Sequence, residues 1–170
     1  MSENAQPVVC FETSMGPIVI ELNREKAPIT VKNFLTYVTD GHYDGLIFHR
    51  VIPNFMIQGG GFDDQMQQRK TRFAIKNEAN NGLKNVRGSV AMARTPVVDS
   101  ATSQFFINTV DNGFLDYRGK RPEEFGYCVF GTVIEGLETV DAIRAVKTGS
   151  KIGHGDVPLE AVTIIKATVR

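Results

Sequence analysis

Phe48-His49-Arg50-Val51-Ile52-Pro53-Asn54-Phe55-Met56-Ile57-Gln58-Gly59-Gly60 is the stretch from which the rest of the chain is read. It encodes two short strands joined at Pro53-Asn54, a favoured turn pair. The register across that turn decides what the pair presents. A two-residue connection pairs Ile52 with Phe55 and sets Arg50 on the face opposite Met56 and Gln58. A three-residue connection (Pro53 to Phe55), or a bulge, pairs Arg50 with Gln58 and puts Arg50, Met56 and Gln58 on one face. If that face points outward, a cation, an amide and a thioether stand together on a rigid sheet. The plainer reading is an exposed strand face whose Arg lies along the surface. These residues alone do not choose between the two.

The period of two continues on both sides. Val8 to Leu22 reads as a strand pair turned at Thr13-Ser14-Met15-Gly16-Pro17. Further strands are expected at Leu46–Val51, Phe55–Gln58, Ser89–Ala93, Gln104–Asn108, Tyr127–Gly131 and Val162–Val169. The period changes to helical in Pro28–Val38, where Val31, Phe34, Leu35 and Val38 share a stripe, Pro28 suits the first turn and Gly41 the stop. A second helix follows Gly136 through Leu137, Val140 and Ile143, ending at Thr148-Gly149-Ser150. About eight short strands with two helices predict a closed or nearly closed β-barrel, since closure removes exposed edges. The segments Asp63–Arg87 and Asp111–Gly126 are polar and long enough to suggest functional loops.

Composition removes several function classes. The 170 residues carry 19 basic and 19 acidic side chains, and a nucleic-acid binder normally carries a basic surplus. The run Arg69-Lys70 with Arg72 reads as a solvated loop. Length and the absence of a linker predict a single domain over residues 1–170, burying roughly 70% of its unfolded surface. Cys10 and Cys128 lie in apolar runs and are expected as small buried hydrophobes rather than a disulfide. Met1-Ser2-Glu3-Asn4-Ala5-Gln6 lacks the basic and apolar regions of a signal peptide, and no run approaches the roughly 18 apolar residues of a membrane span. A soluble cytoplasmic protein is expected. His42, His49 and His154 have no metal-ligand spacing. Ser103 is outside a nucleophile elbow, and Asp111-Asn112-Gly113 fails the calcium-loop pattern. Gly59-Gly60-Gly61 precedes Phe62-Asp63-Asp64, whose acids would repel phosphate. No metal, cofactor or covalent nucleophile is signalled.

Two more strands sharpen the picture. Alternation in Gln104–Asn108 puts Gln104 and Phe106 on one face, with Ser103, Phe105 and Ile107 on the other. In Ser89–Arg94 the small residues Ser89, Ala91 and Ala93 share a face, which would let another backbone approach, as in β-strand addition. Such a surface suits an apolar group carried on an extended peptide.

The run from Tyr43 through Phe48-His49-Arg50 to Phe55-Met56-Ile57-Gln58-Gly59-Gly60 resembles the signature of cyclophilin-type peptidyl-prolyl cis-trans isomerases. Met92-Ala93-Arg94, Ser103-Gln104-Phe105-Phe106-Ile107, Phe114-Leu115 and Val129-Phe130-Gly131 resemble the family's other blocks in the same order, so the resemblance spans roughly Val8 to Thr168. It implies a mainly β fold, a closed eight-stranded antiparallel β-barrel capped by two α-helices, with the active groove on the outer wall. By matching positions it implies Arg50 as the catalytic arginine, and Phe55, Met56, Phe106 and Leu115 as the proline pocket. Gln58 and Gln104 would position substrate, and the backbone around Ala93 and Arg94 would bind it. Phe114 and Tyr127 stand where the best-known eukaryotic form has Trp and His. With Arg94 and the longer loop Asp116–Gly126, they resemble the bacterial cytoplasmic type. Phe114 lacks an indole donor, which implies weak cyclosporin binding.

The implied function is isomerisation of X-Pro bonds in peptides and folding proteins, by a monomer without cofactor, nucleic acid or membrane. The alternative is a proline-peptide binding module or holdase with negligible turnover, for which the same pocket would serve. A third reading, a ligand carried in the barrel lumen, conflicts with the apolar fill available from Phe, Val and Ile.

Overall fold

In the computed structural model, which describes residues 6–170, alternation of apolar and polar residues yields ten strands. The reading of Met1–Gln6 falls, Gln6 apart, outside the described residues. Eight strands form one sheet: β1 (Val8–Thr13), β2 (Gly16–Leu22), β3 (Leu46–Ile52), β4 (Met56–Asp63), β5 (Ser89–Met92), β6 (Phe105–Asn108), β7 (Val129–Glu135) and β10 (Ile164–Val169). Their order is β10-β1-β2-β7-β5-β6-β4-β3, antiparallel throughout. The two edge strands approach each other through the bridge Ile47–Thr163 and two bonds, Gly45 N–H to the Ile164 carbonyl at 2.8 Å and Phe48 N–H to Val162 at 3.0 Å. The barrel is therefore nearly closed rather than closed. Its seam stays short because β3 meets this edge through a single bridge, to Thr163, which lies just before β10.

Two expectations about elements also change. Three α-helices form, not two: α1 (Pro28–Thr39), α2 (Pro122–Phe125) and α3 (Leu137–Arg144). The added α2 is one turn between Pro122 at its first position and Gly126, too short to show a period. The segment after α3 does not simply end a helix. It forms a separate hairpin, β8 (Thr148–Lys151) and β9 (His154–Pro158), around Ile152-Gly153, both at positive φ.

The barrel interior is filled by rings. Phe105 stacks on Phe11 at 5.4 Å between centroids and meets Phe34, Tyr43 and Phe48 edge-on. Helix α1 inserts Val31, Phe34, Tyr37 and Val38 into this core, and α3 adds Val140 and Ile143. Glu78 caps α1 from the long loop by accepting from Thr30 N–H at 2.7 Å, one of the donors a helix start leaves unpaired. The expectation that both cysteines are buried holds for Cys128 but not Cys10, which is half-buried. Alternation turns Val9 and Phe11 inward, so Cys10 faces out.

One irregularity of β3 decides which way Arg50 points. Phe48 pairs with Gly59 and Arg50 with Gln58, so His49 is an extra residue, a bulge. Leu46, Phe48 and Val51 all reach the core, and the bulge leaves both His49 and Arg50 on the outer face. Without it Arg50 would point inward in phase with Phe48.

His49 is covered. Its ring lies 4.7 Å from Phe62, which is 5.1 Å from His154 of β9, and its Nδ1 has no hydrogen-bond partner among the described residues. Burial, and then the nearby His154 and Arg50, push its pKa down from 6.5 to about 4. The unfolded chain therefore takes up this proton near pH 6.5 and the folded chain only near pH 4. The stability present above pH 6.5 is thus lost as pH falls through that window, by about 3 kcal/mol from this group. Urea unfolding at pH 7 and pH 4.5 should show His49→Gln losing less stability on acidification than the unaltered chain. Equal losses would contradict the assignment.

Candidate active site

Five adjacent strands, β7, β5, β6, β4 and β3, make the wall on which the outward residues gather. Alternation sends Phe130, Val90, Met92, Phe105, Ile107 and Ile57 into the core. Val129, Ala91, Phe106 and Met56 face out and form a second apolar cluster with Leu115, from a 3-10 turn at Gly113–Leu115. Around them lies a depression of about 130 Å³ lined by Arg50, Phe55, Met56, Gln58, Ala93, Arg94, Phe106, Leu115 and Tyr127. Its floor is Met56, Phe106 and Leu115, all nearly covered. There is room for one small ring. Larger hollows exist, among them one of about 290 Å³ beside β2 and β7 and one of about 610 Å³ beside the end of α3. The smaller depression combines an apolar floor with a guanidinium at its rim, and chemistry favours it.

The open question of register is settled by the three-residue connection. Arg50 pairs with Gln58, Val51 with Ile57 and Ile52 with Met56, and Phe55 N–H closes the turn on the Ile52 carbonyl at 3.0 Å. Arg50 is exposed, with its guanidinium carbon 6.0 Å from the Phe55 ring centroid. No ion pair or side-chain hydrogen bond among the described residues engages it. Its donors are free to meet a ligand.

Gln58 and Gln104 stand together, Gln58 Nε2 donating to Gln104 Oε1 at 2.9 Å. Gln104 does not line the depression itself but holds the residue that does. The glycines of β4 explain how it fits. Gly60, at φ +90°, lies beneath Tyr43 and Phe105, and a Cβ on Gly61 would stand 2.6 Å from Gln104 Cγ. Gly61→Ala should therefore fold, because a side chain and not backbone must move. For the X-Pro peptide that the resemblance implies as substrate, it should lower kcat/KM about fivefold by displacing Gln104 from Gln58. Unaltered kcat/KM would show that the amide pair has no part in positioning.

Three expected residues take on further detail. At Arg94 the resemblance implies a role for the backbone only, and the side chain is fully engaged. Its guanidinium donates to the carbonyls of Gly126 at 2.8 Å, Pro122 at 2.7 Å, Thr95 at 3.1 Å and Val97 at 3.4 Å, 5.1 Å from the Tyr127 ring centroid. It is a strut that fixes two loops. Phe114 lies outside the lining, 64% exposed, and extends the wall by stacking on Phe55 at 5.8 Å. Ala93 sits just past β5, its N–H held by the Gln104 carbonyl at 3.0 Å. Strand addition along Ser89–Ala93 is not available, because β5 is paired with β6 on one side and β7 on the other. Small residues there serve depth instead, with Ala91 fully covered beneath the cluster.

Tyr127 closes the far side, edge-on to Phe106 at 5.7 Å. The adjoining Cys128 faces the core, and burial pushes its thiol up to about 11, which removes it as a nucleophile at neutral pH. Leu83 also packs against the apolar cluster and is missed by sequence reasoning. A lone Leu in a polar loop was its only signal.

The family model described as cyclophilin type peptidyl-prolyl cis-trans isomerase/CLD matches residues 8–169. The chain is 59% identical to peptidyl-prolyl cis-trans isomerase cyp18 of Streptomyces antibioticus, over 94% of this chain and 96% of that one. It is 56% identical to peptidyl-prolyl cis-trans isomerase B of Escherichia coli strain K12, over 95% and 99%. A solved cyclophilin type peptidyl-prolyl cis-trans isomerase of Cryptosporidium parvum superposes with a TM-score of 0.76 at 26% identity, over 97% of this chain and 98% of that one. The same protein solved in the presence of the dipeptide Ala-Pro gives a TM-score of 0.75 at 26% identity, over 96% and 98%.

Proposed function

The chain belongs to the cyclophilin-type peptidyl-prolyl cis-trans isomerases, and we propose that it turns X-Pro bonds in the depression beside Arg50. The observation that carries this reading is a free guanidinium at the rim of an apolar floor with room for one ring.

Rotation about an amide is opposed by about 18–20 kcal/mol, because resonance gives the C–N bond partial double-bond character. X-Pro bonds populate both isomers and exchange over tens to hundreds of seconds unaided. In the twisted state resonance is lost and the proline nitrogen gains a lone pair. Arg50, always charged and rich in donors, donates to that nitrogen and so binds the twisted form more strongly than either planar one. Phe55, Met56, Phe106 and Leu115 grip the ring while the preceding residue swings. Excluding water there strengthens the Arg50 contact. Gln58, steadied by Gln104, and the main chain at Ala93–Arg94 orient the peptide, with Tyr127 and Phe114 bounding the ends. A millionfold acceleration needs about 8 kcal/mol of such differential binding. Rotation requires no proton transfer, redox step or energy source.

The occupant is a proline-containing segment of a peptide or folding chain, a reading supported by the related Cryptosporidium protein having been solved in the presence of Ala-Pro. The reading is of a single domain acting as a monomer. Two free cysteines suit the reducing cytoplasm, and no helix among the described residues is long and apolar enough to cross a membrane. Phe114 offers no indole donor, so cyclosporin should bind weakly. Exchange NMR on a short X-Pro peptide, with catalytic amounts of protein, tests the reading. Cis and trans signals should exchange in its presence, and unaffected exchange with retained binding would leave only the binding-module reading.

A further inference from the structure

Rotation uses the outward face of the wall and leaves unexplained a line of buried amides behind it. Asn85, Asn108 and Asn112 are 1%, 0% and 3% exposed. Asn108 Nδ2 donates to Asn85 Oδ1 at 3.0 Å and to Ser89 Oγ at 2.9 Å. Asn112 Nδ2 donates to Asn108 Oδ1 at 2.8 Å and to the Phe55 carbonyl at 2.8 Å. Asn85 Nδ2 donates to Asp116 Oδ1 at 3.1 Å and to the Tyr127 carbonyl at 3.4 Å. All the side-chain N–H groups of the three amides are used.

Main-chain bonds extend the line to the remaining wall. Asn112 N–H donates to the Asn85 carbonyl at 2.8 Å, Leu115 N–H to Asn112 at 3.0 Å, and Tyr127 N–H to Leu115 at 2.9 Å. The start of β4, the Gly113–Leu115 turn and the approach to β7 are far apart in sequence, and this line joins them. We propose that Asn108, with Asn85 and Asn112, is a positioning residue that fixes the distance between Phe55, Leu115 and Tyr127 and so sets the grip on the proline ring. The inference rests on the depression being the isomerase site.

The chemistry suits the task. A primary amide both donates and accepts, so a chain of three transmits position from one carbonyl to another. In a low-dielectric interior each bond is stiff when made and costly when broken. An apolar residue of similar size could fill the space but would leave the Phe55 and Tyr127 carbonyls with fewer partners. Arg50 and Gln58 are held separately, by the β3–β4 register. Loosening the triad should therefore weaken the grip and leave the arginine in place.

The test is exchange NMR with a short X-Pro peptide, giving affinity and turnover for each folded variant. Asn108→Leu removes the hub and should weaken peptide binding about tenfold, with kcat falling less than about threefold. Asn112→Ala removes the bonds to the Phe55 carbonyl and to Asn108 Oδ1 but leaves the Asn85–Asn108–Ser89 bonds, and it decides the matter should the hub variant not fold. It should weaken binding about threefold and diminish the ring-to-ring contact signal between Phe55 and Phe114. An activity loss that merely tracks the unfolded fraction overturns the proposal, and so do folded variants with unaltered affinity. Arg50→Ala separates the two failures. If it abolishes turnover while both asparagine variants behave as the unaltered chain, the positioning role alone falls; if it retains full turnover, the site reading falls and this inference with it.

Discussion

Replacing Arg50 with alanine should slow catalysed X-Pro rotation by about a hundredfold, the scale of removing one donor aimed at developing charge. Peptide affinity should change by less than about threefold, because a planar amide nitrogen offers Arg50 little to bind in the ground state. The asymmetry comes from where Arg50 sits. It stands at the rim, 6.0 Å from Phe55, while the floor of Met56, Phe106 and Leu115 is complete without it. Truncation removes a free donor and breaks no internal bond, so the fold should be unaffected. Exchange NMR on one peptide yields both numbers. Turnover at the original rate would remove this mechanism, and an equal loss of binding and turnover would reassign Arg50 to simple substrate binding.

Legibility in the sequence depends on which interactions are local. Val31, Phe34 and Val38 declare α1 because helical spacing is written within one turn. Gln104–Asn108 declares its two faces for the same reason. Arg50 was different. Its face depends on the loop Pro53–Phe55 and on the bulge at His49, and both register options satisfied the local pattern. The bulge is held by packing against Phe62 and the β9 hairpin, about a hundred residues away, so no window of sequence contains it. That hairpin was itself hidden. Thr148–Lys151 is polar, and its turn uses Ile152 at φ 47°, a conformation a β-branched residue rarely adopts. The strut role of Arg94 was equally out of reach, since its acceptors are carbonyls, which every residue has. The asparagine line shares that reason: Asn85, Asn108 and Asn112 look like loop residues until the loops are folded together.

The sharpest test of the wall as a whole is a pair of neighbours. Phe105 and Phe106 have the same side chain and adjacent positions on β6, yet alternation gives them opposite surroundings. Phe105 is fully buried among Phe11, Phe34, Tyr43 and Phe48. Phe105→Ala should cost about 3–5 kcal/mol, because ring neighbours held by several strands and a helix cannot collapse into the space. Turnover per folded molecule should stay within about threefold, since nothing on the outer face has moved. Phe106→Ala should do the reverse. Its ring is nearly covered but floors a depression open to solvent, so the space it vacates joins that depression and the stability cost should be smaller than for Phe105→Ala. Under the proposed site the proline ring would lose part of its floor, and kcat/KM should fall at least about tenfold. Urea unfolding gives the first quantity for each variant, and exchange NMR on the folded fraction gives the second. Two variants with the same profile would mean that the outer wall is merely more core, and that the site lies elsewhere.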